Sequence, residues 1–203
     1  MTTSRIGRPG AVVLAAGESS RMGRPKALLE YQGTSFLARW LALLRAAGTD
    51  EVAVVLGHDR QRIEAMTDVT GVHVVTNPHP ERGMLSSFIL GLDALPERIS
   101  GVFLCPVDHP AVSRSDLAAL ADRSSPRKIV VPVHAGRRGH PVLFGVGLFG
   151  EIRSAPERVG ARAVVRADPD RVVEVPAGPG ILQDIDTPAD YTALGEVSGP
   201  VEG

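Results

Sequence analysis

The stretch that most constrains this chain is Val12-Val13-Leu14-Ala15-Ala16-Gly17-Glu18-Ser19-Ser20-Arg21-Met22-Gly23-Arg24-Pro25-Lys26, where a short apolar run breaks into a polar, Gly- and Ser-bearing loop. The run reads as a buried strand of an α/β sheet. The loop at its carboxyl end can turn several backbone N–H groups toward one point, a concavity that suits an anion. Arg21, Arg24 and Lys26 add positive charge there, and an arginine can take a phosphate through two parallel hydrogen bonds. Gly and Ser also dominate ordinary turns; three cations within six residues favour a phosphate cradle over a plain turn. The spacing separates this loop from two better-known ones. A P-loop needs Gly, four residues, then Gly-Lys-Ser/Thr, whereas five residues stand between Gly17 and Gly23. The dinucleotide fingerprint G-x-G-x-x-G is missing from the loop.

Downstream, strands and helices alternate. Phe36, Leu37, Trp40, Leu41, Leu43 and Leu44 give a helix from a Thr34 cap to about Ala47 one apolar face, which reads as core. The pattern predicts strands over 51–56, 72–76, 101–105, 128–133 and 171–176. It predicts helices over 59–66, 88–95 and 113–121, then one or two short ones within 145–167. Such alternation argues for an α/β fold with a parallel sheet covered on both faces.

With 203 residues, 43% of them apolar, the chain can bury one domain core over 1–203, with about 10–195 ordered. A formal net charge of −1 makes no case for nucleic acid or a membrane surface. The single Cys105 excludes an intrachain disulfide. Arg5 and Arg8 precede no apolar core of a signal peptide, and no run of ~18 apolar residues occurs. A soluble, cytoplasmic protein is the expectation.

Several residues have two readings from sequence. Ser86 and Ser87 fall in the first turn of a helix, as caps or as groups facing a ligand. Asp108, held between Pro106 and Pro110 at a strand's carboxyl end, is either a turn residue or a group aimed into the binding crevice. His140 before Pro141 is structural, or stands with Arg137 and Arg138 to hold an anionic acceptor. Arg158, Arg162 and Arg166 at four-residue steps read as a solvated helix face, with a phosphate grip as the minority reading. Asp186, just before the helix start at Thr187-Pro188, could serve only the helix dipole.

Leu14 to Lys26 resembles the L-A-A-G-x-S-x-R-M-G-x-x-K signature of the nucleotidyltransferases related to molybdenum cofactor cytidylyltransferase. Asn77 to Ser87 is similar to that family's N-P-x-x-x-x-G-[ML]-x-[ST]-S segment, and Pro106-Val107-Asp108-His109-Pro110 to its P-x-D-x-P metal site. Gly136 to Pro141 is similar to its G-x-x-G-H-P hairpin, and Asp184 to Tyr191 to its D-I-D-T-P-x-D-[YF] segment. The resemblance implies a three-layer α/β/α fold: a mostly parallel, Rossmann-like sheet with a small β-hairpin excursion on the acceptor side. It implies transfer of CMP from CTP to the phosphate of molybdopterin, dependent on Mg2+, with release of pyrophosphate.

By that resemblance Leu14, Ala15, Ala16, Gly17, Glu18, Ser19, Ser20, Arg21, Met22, Gly23, Lys26, Gly83, Ser86 and Ser87 bind the nucleotide. Arg21, Lys26, Asp108 and Asp186 form the catalytic set, with Asp108 and Asp186 as the metal ligands. His109, Arg138, Gly139, His140 and Pro141 face the acceptor; His109 departs from the Gln or Met commoner in relatives. The double alanine of Leu14-Ala15-Ala16-Gly17 points to CTP, since guanylyl-transferring relatives typically show L-A-G-G. An acceptor phosphate is already anionic near neutral pH, so alignment and charge stabilisation suffice without a general base. The partners implied are a nucleoside triphosphate, a molybdopterin-type acceptor and a molybdenum hydroxylase or its chaperone, around a monomer or small homo-oligomer. Two other readings remain: the same chemistry with GTP or another phosphorylated acceptor, and a nucleotide-binding protein without transferase activity.

Overall fold

In the computed structural model, which describes residues 7–19 and 22–197, the apolar run forms β1 (Gly10–Ala15) in the middle of a mixed sheet. Its side chains alternate between two cores: Ala11 and Val13 enter one, Val12 and Leu14 the other. That double burial explains why the strand is apolar without a break. β4 (Val52–Leu56) and β6 (Gly101–Pro106) flank it, both parallel. With β7 (Ile129–His134) and β9 (Val142–Gly145) the order is β10-β7-β9-β6-β1-β4-β5, where β5 (His73–Thr76) is one edge and β10 (Val172–Pro176) the other.

The antiparallel part lies where the hairpin was expected. β9 (Val142–Gly145) runs against both β6 and β7 (Ile129–His134), and the short β8 (Arg137–Arg138) folds back on the end of β7. Pro132 is tolerated in β7 because it falls between the residues paired to β9 and those paired to β8.

Helices cover both faces. α1 (Phe36–Ala46), α2 (Arg60–Met66), α4 (Arg114–Ala121) and α7 (Pro188–Val197) bury Trp40, Ile63, Leu117 and Leu194 in one core. α3 (Met84–Asp93), α5 (Phe149–Ser154) and α6 (Arg162–Ala167) bury Phe88, Ile152 and Val164 in the other. The result is the three-layer α/β nucleotidyltransferase architecture that the resemblance implied.

One local expectation is off by a residue. Glu30–Tyr31 (β2) and Thr34–Ser35 (β3) form a small hairpin in which Thr34 pairs with Tyr31. The cap of α1 therefore passes to Ser35, whose Oγ accepts from Ala38 N at 3.3 Å. Among the described residues no helix is long and apolar enough to cross a membrane.

Candidate active site

β1, β4 and β6 run parallel and end at one edge of the sheet, so the loops that follow them meet there. They enclose a cavity of about 220 Å³ lined by Ala15, Ala16, Gly17, Lys26, Ser87 and Asp108, among others. Ser19 ties the β1 loop together. Its Oγ accepts from Lys26 N at 2.8 Å, and its carbonyl accepts from Met22 N at 2.9 Å and Gly23 N at 3.2 Å. Leu14, Glu18 and Ser19 line the cavity as well. Met22 turns toward the α1-side core, and neither it nor Gly23 lines the cavity. Ser20 and Arg21 lie outside the described residues.

The opposite wall is the start of α3. The chain enters it through Gly83 at φ +97°, a conformation that favours glycine. Asn77 is buried beneath; its Nδ2 donates to Ser86 Oγ at 3.0 Å and Ser87 Oγ at 2.9 Å, while its Oδ1 accepts from His79 N at 2.8 Å. Ser87 and Gly83 line the cavity, but Ser86 does not. The Ser86 hydroxyl donates to Gly83 O at 2.8 Å, so it braces the helix start. Sequence reasoning missed Asn77 as the organiser of both serines, and missed His58 and Asp59, which line the cavity from the turn after β4. A buried Asn preceding a Ser-Ser pair was the available signal for the first; the second had none.

Asp108 and Asp186 come together through the backbone. Ile185 N donates to Asp108 O at 3.0 Å, which sets the next residue beside Asp108. Asp190 then fixes Asp186 from behind. Its Oδ2 accepts from Asp186 N at 3.2 Å, Thr187 N at 2.7 Å and Thr187 Oγ1 at 2.7 Å. Thr187 Oγ1 in return accepts from Asp190 N at 3.2 Å, a reciprocal cap on α7. Between the two carboxylates stands Lys26, whose Nζ donates to Asp186 Oδ1 at 2.5 Å and Asp108 Oδ2 at 3.2 Å. Burial pulls the Lys26 pKa down, but the hydrogen bond to Asp186 and the charge of Asp108 outweigh it, and the net shift is upward. For Asp108 burial pushes up, and the contacts with His109 and Lys26 outweigh it, leaving the carboxyl below its ordinary range. His109 Nδ1, 2.9 Å from Asp108 Oδ1, engages the other oxygen.

Two carboxylates converging on one positive charge are a hard, oxygen-only donor set, and they fit a divalent cation. Among the described residues no third His, Cys, Asp or Glu joins them as a metal cluster. Such sites commonly complete their coordination with phosphate and water oxygens.

Beyond the carboxylates a second cavity, about 370 Å³, is lined by His109, Arg137, Arg138, Gly139, His140 and Asp184. The His140–Pro141 peptide is cis, and His140 N donates to Ile181 O at 3.0 Å. Gly139 lies so close to the strap of residues 178–186 that a Cβ there would stand 2.2 Å from Ile181 O. The strap is anchored by the buried Asp116. One carboxylate oxygen accepts from Gly178 N at 2.9 Å, and the other from Ser113 N at 2.9 Å and Ser113 Oγ at 2.6 Å. Pro141 is buried and lines neither cavity. The His140 ring meets His109 edge-on with centroids 5.1 Å apart, and its buried Nδ1 has no hydrogen-bond partner among the described residues. Burial and the neighbouring His109 lower its pKa from 6.5 to about 4.

The arginine stripe is split between a turn and a helix. Arg158 lies in the turn before α6 and not on a continuous helix with Arg162 and Arg166. All three line a third cavity, about 580 Å³, between α3 and α6. All three are exposed, as a solvated face requires, and they stand at the mouth of that cavity.

The MobA-like NTP transferase domain matches residues 11–172 of the chain. A protein named nicotine blue oxidoreductase from Paenarthrobacter nicotinovorans is 31% identical over 167 residues, 78% of this chain and 81% of that one. A probable molybdenum cofactor guanylyltransferase of Bacillus cereus (strain Q1) is 31% identical over 134 residues, 65% of this chain and 64% of the relative. Among solved structures, Rv0371c from Mycobacterium tuberculosis H37Rv superposes with a TM-score of 0.85 at 30% identity, covering 94% of this chain and 99% of that one. A second structure of Rv0371c, in complex with manganese, gives a TM-score of 0.75 at 29% identity over 93% of this chain and 98% of that one.

Proposed function

The chain belongs to the MobA-like NTP transferase family and is a nucleotidyltransferase, and from that premise we propose that it transfers CMP from CTP to the phosphate of a molybdopterin acceptor with Mg2+. The observation that carries this reading is the meeting of Asp108 and Asp186 on the Lys26 ammonium, at the rim of the cavity beneath the β1 loop. Asp108 and Asp186 would hold the magnesium, with Asp190 and His109 keeping them aimed. When bound, the ion supplies charge neutralisation for the triphosphate.

The chain's own residues do the rest. The loop from Gly17 to Lys26 cradles the leaving phosphates, with Arg21 among its cations; Ser87 and Gly83 face the ribose and base from α3. His109, Arg138, Gly139 and His140 line the acceptor side, beside the carboxylates. The acceptor phosphate attacks the α-phosphate in line, pyrophosphate departs, and no proton needs to be removed. Ala15 and Ala16, both lining the nucleotide cavity, support CTP over GTP by limiting the room beside the base. The whole chain acts as one domain, and its product suits a molybdenum hydroxylase or the chaperone that loads it.

The test is incubation of the protein with Mg2+, molybdopterin and each of the four nucleoside triphosphates in turn, following pyrophosphate. The expected result is acceptor-dependent release with CTP. Release with GTP alone moves the reading to the guanylyl alternative suggested by the Bacillus relative's name. Release with no triphosphate leaves a binding protein, or a redox activity like that in the Paenarthrobacter relative's name. In a competition assay Ala16→Gly is expected to relax CTP preference toward GTP; unchanged selectivity refutes the alanine argument.

A further inference from the structure

The third cavity has a composition unlike the other two. Its floor is the sheet face and α3, with Phe88, Leu104, Val142 and Phe144 buried around it. Its rim carries Arg158, Arg162 and Arg166, and none of these makes an ion pair with a described carboxylate. The other charges at the rim are already engaged: Glu157 with Arg82, and Arg138 with Glu174 at 2.7 Å. Three arginines without anionic partners over an apolar floor leave net positive charge where burial is favourable for a hydrocarbon or ring.

The apolar surface at the opening points the same way. Met84, 52% exposed, and Val159, 40% exposed, are two of the large hydrophobic side chains that the described chain leaves open to water, and both stand at this cavity. Met84 also lines the nucleotide and acceptor cavities, and His140 lines both the acceptor cavity and this one. The three spaces are therefore neighbours around one side chain. His140 adds a buried ring nitrogen with no hydrogen-bond partner among the described residues.

We infer that the cavity between α3 and α6 binds a small anion with an apolar or ring body, and that this ligand is the acceptor's far end. On that assignment, which rests on the transferase reading, the acceptor bears a second anionic group besides the attacking phosphate. Arg158, Arg162 and Arg166 take that group, while the body lies on Phe88 and Phe144. Bidentate guanidinium contacts suit phosphate, sulfonate or carboxylate alike.

Two dyes of equal shape test the site without knowledge of the acceptor. 8-Anilinonaphthalene-1-sulfonate carries an apolar body and one sulfonate; N-phenyl-1-naphthylamine is the neutral counterpart. In fluorescence titrations of the full chain, Arg162→Gln/Arg166→Gln is expected to weaken the sulfonate dye about tenfold or more. The neutral dye should bind the variant and the wild type equally, which also shows that the floor is intact. Equal affinity of wild type and variant for the sulfonate dye, or no binding by wild type, overturns the anion site. The acceptor assignment has its own readout. The double variant should raise the molybdopterin KM about tenfold while leaving kcat and the CTP KM unchanged. Loss of sulfonate-dye binding with an unchanged acceptor KM keeps the anion site and overturns its link to the acceptor. If molybdopterin proves to be no substrate at all, the dye titrations still decide the site.

Discussion

The two halves of the candidate site are built in different ways. The half proposed for the nucleotide has two walls, the loop after β1 and the start of α3, each closed by its own short-range hydrogen bonds around Ser19 and Asn77, with the turns after β4 and β6 completing it. The half proposed for the acceptor is assembled from distant pieces: the end of β6, the β8 turn and the strap at 178–186. Long-range contacts hold it, namely Ile185 to Asp108, His140 to Ile181 and Gly178 to Asp116. Local sequence therefore dictates the two walls of the first half, and tertiary packing dictates the second. Lys26 belongs to the first and reaches across to the carboxylates of the second.

Substitutions that break this division should have graded effects. The largest are expected at the seam. Asp108→Asn and Asp186→Asn should each lower kcat by at least about 10²–10³-fold, the size seen when a transition-state charge contact is lost. Nucleotide affinity should change far less. Equal loss of both quantities would mean that the carboxylates only shape the cavity.

Next comes the brace of the acceptor half. Asp116→Ala leaves the N–H groups of Gly178 and Ser113 without their acceptor in a buried place. The expected loss is about 2 kcal/mol of unfolding free energy in urea titration. The acceptor KM should rise with the nucleotide KM unchanged. Asn77→Ala is the counterpart in the other half. It should cost about 1–2 kcal/mol and raise the nucleotide Kd with the acceptor KM unchanged. Crossed effects in either variant would show that the halves are not independent.

The smallest effect is in pH. His140 is held neutral in the folded chain, its pKa near 4, while the unfolded chain protonates near 6.5. Between these values the unfolded state binds more protons, so stability falls as the pH drops from 6.5 toward 4. Asp108 adds to the same trend: its depressed pKa stabilises the fold above the ordinary carboxylate range, and that stability is lost as pH falls through the folded value. His140→Gln should flatten the decline of Tm between pH 6.5 and 4 and leave the Asp108 portion below it.

The same division explains what the sequence revealed. The β1 strand, the loop at its end and the cap-and-proline start of α7 were legible because apolar runs and cap residues are local signals. Resemblance, and not periodicity, brought Asp186 to Asp108 from far along the chain. The cap of α1 moved from Thr34 to Ser35 because a two-residue hairpin, too short to leave a pattern, claimed Thr34. Asn77 holds both serine hydroxyls, and only the bond from Ser86 Oγ to Gly83 O, which the sequence does not reveal, sets Ser86 apart as a brace of α3. The arginines at 158, 162 and 166 are exposed as their four-residue spacing suggested, but that spacing does not show the cavity they border.

The most direct measurement is manganese binding in the presence of CTP, followed by electron paramagnetic resonance. One Mn2+ per chain is expected in the wild type, with binding lost in Asp108→Asn and in Asp186→Asn alike. Wild-type affinity in either variant would contradict a cation shared by the two carboxylates.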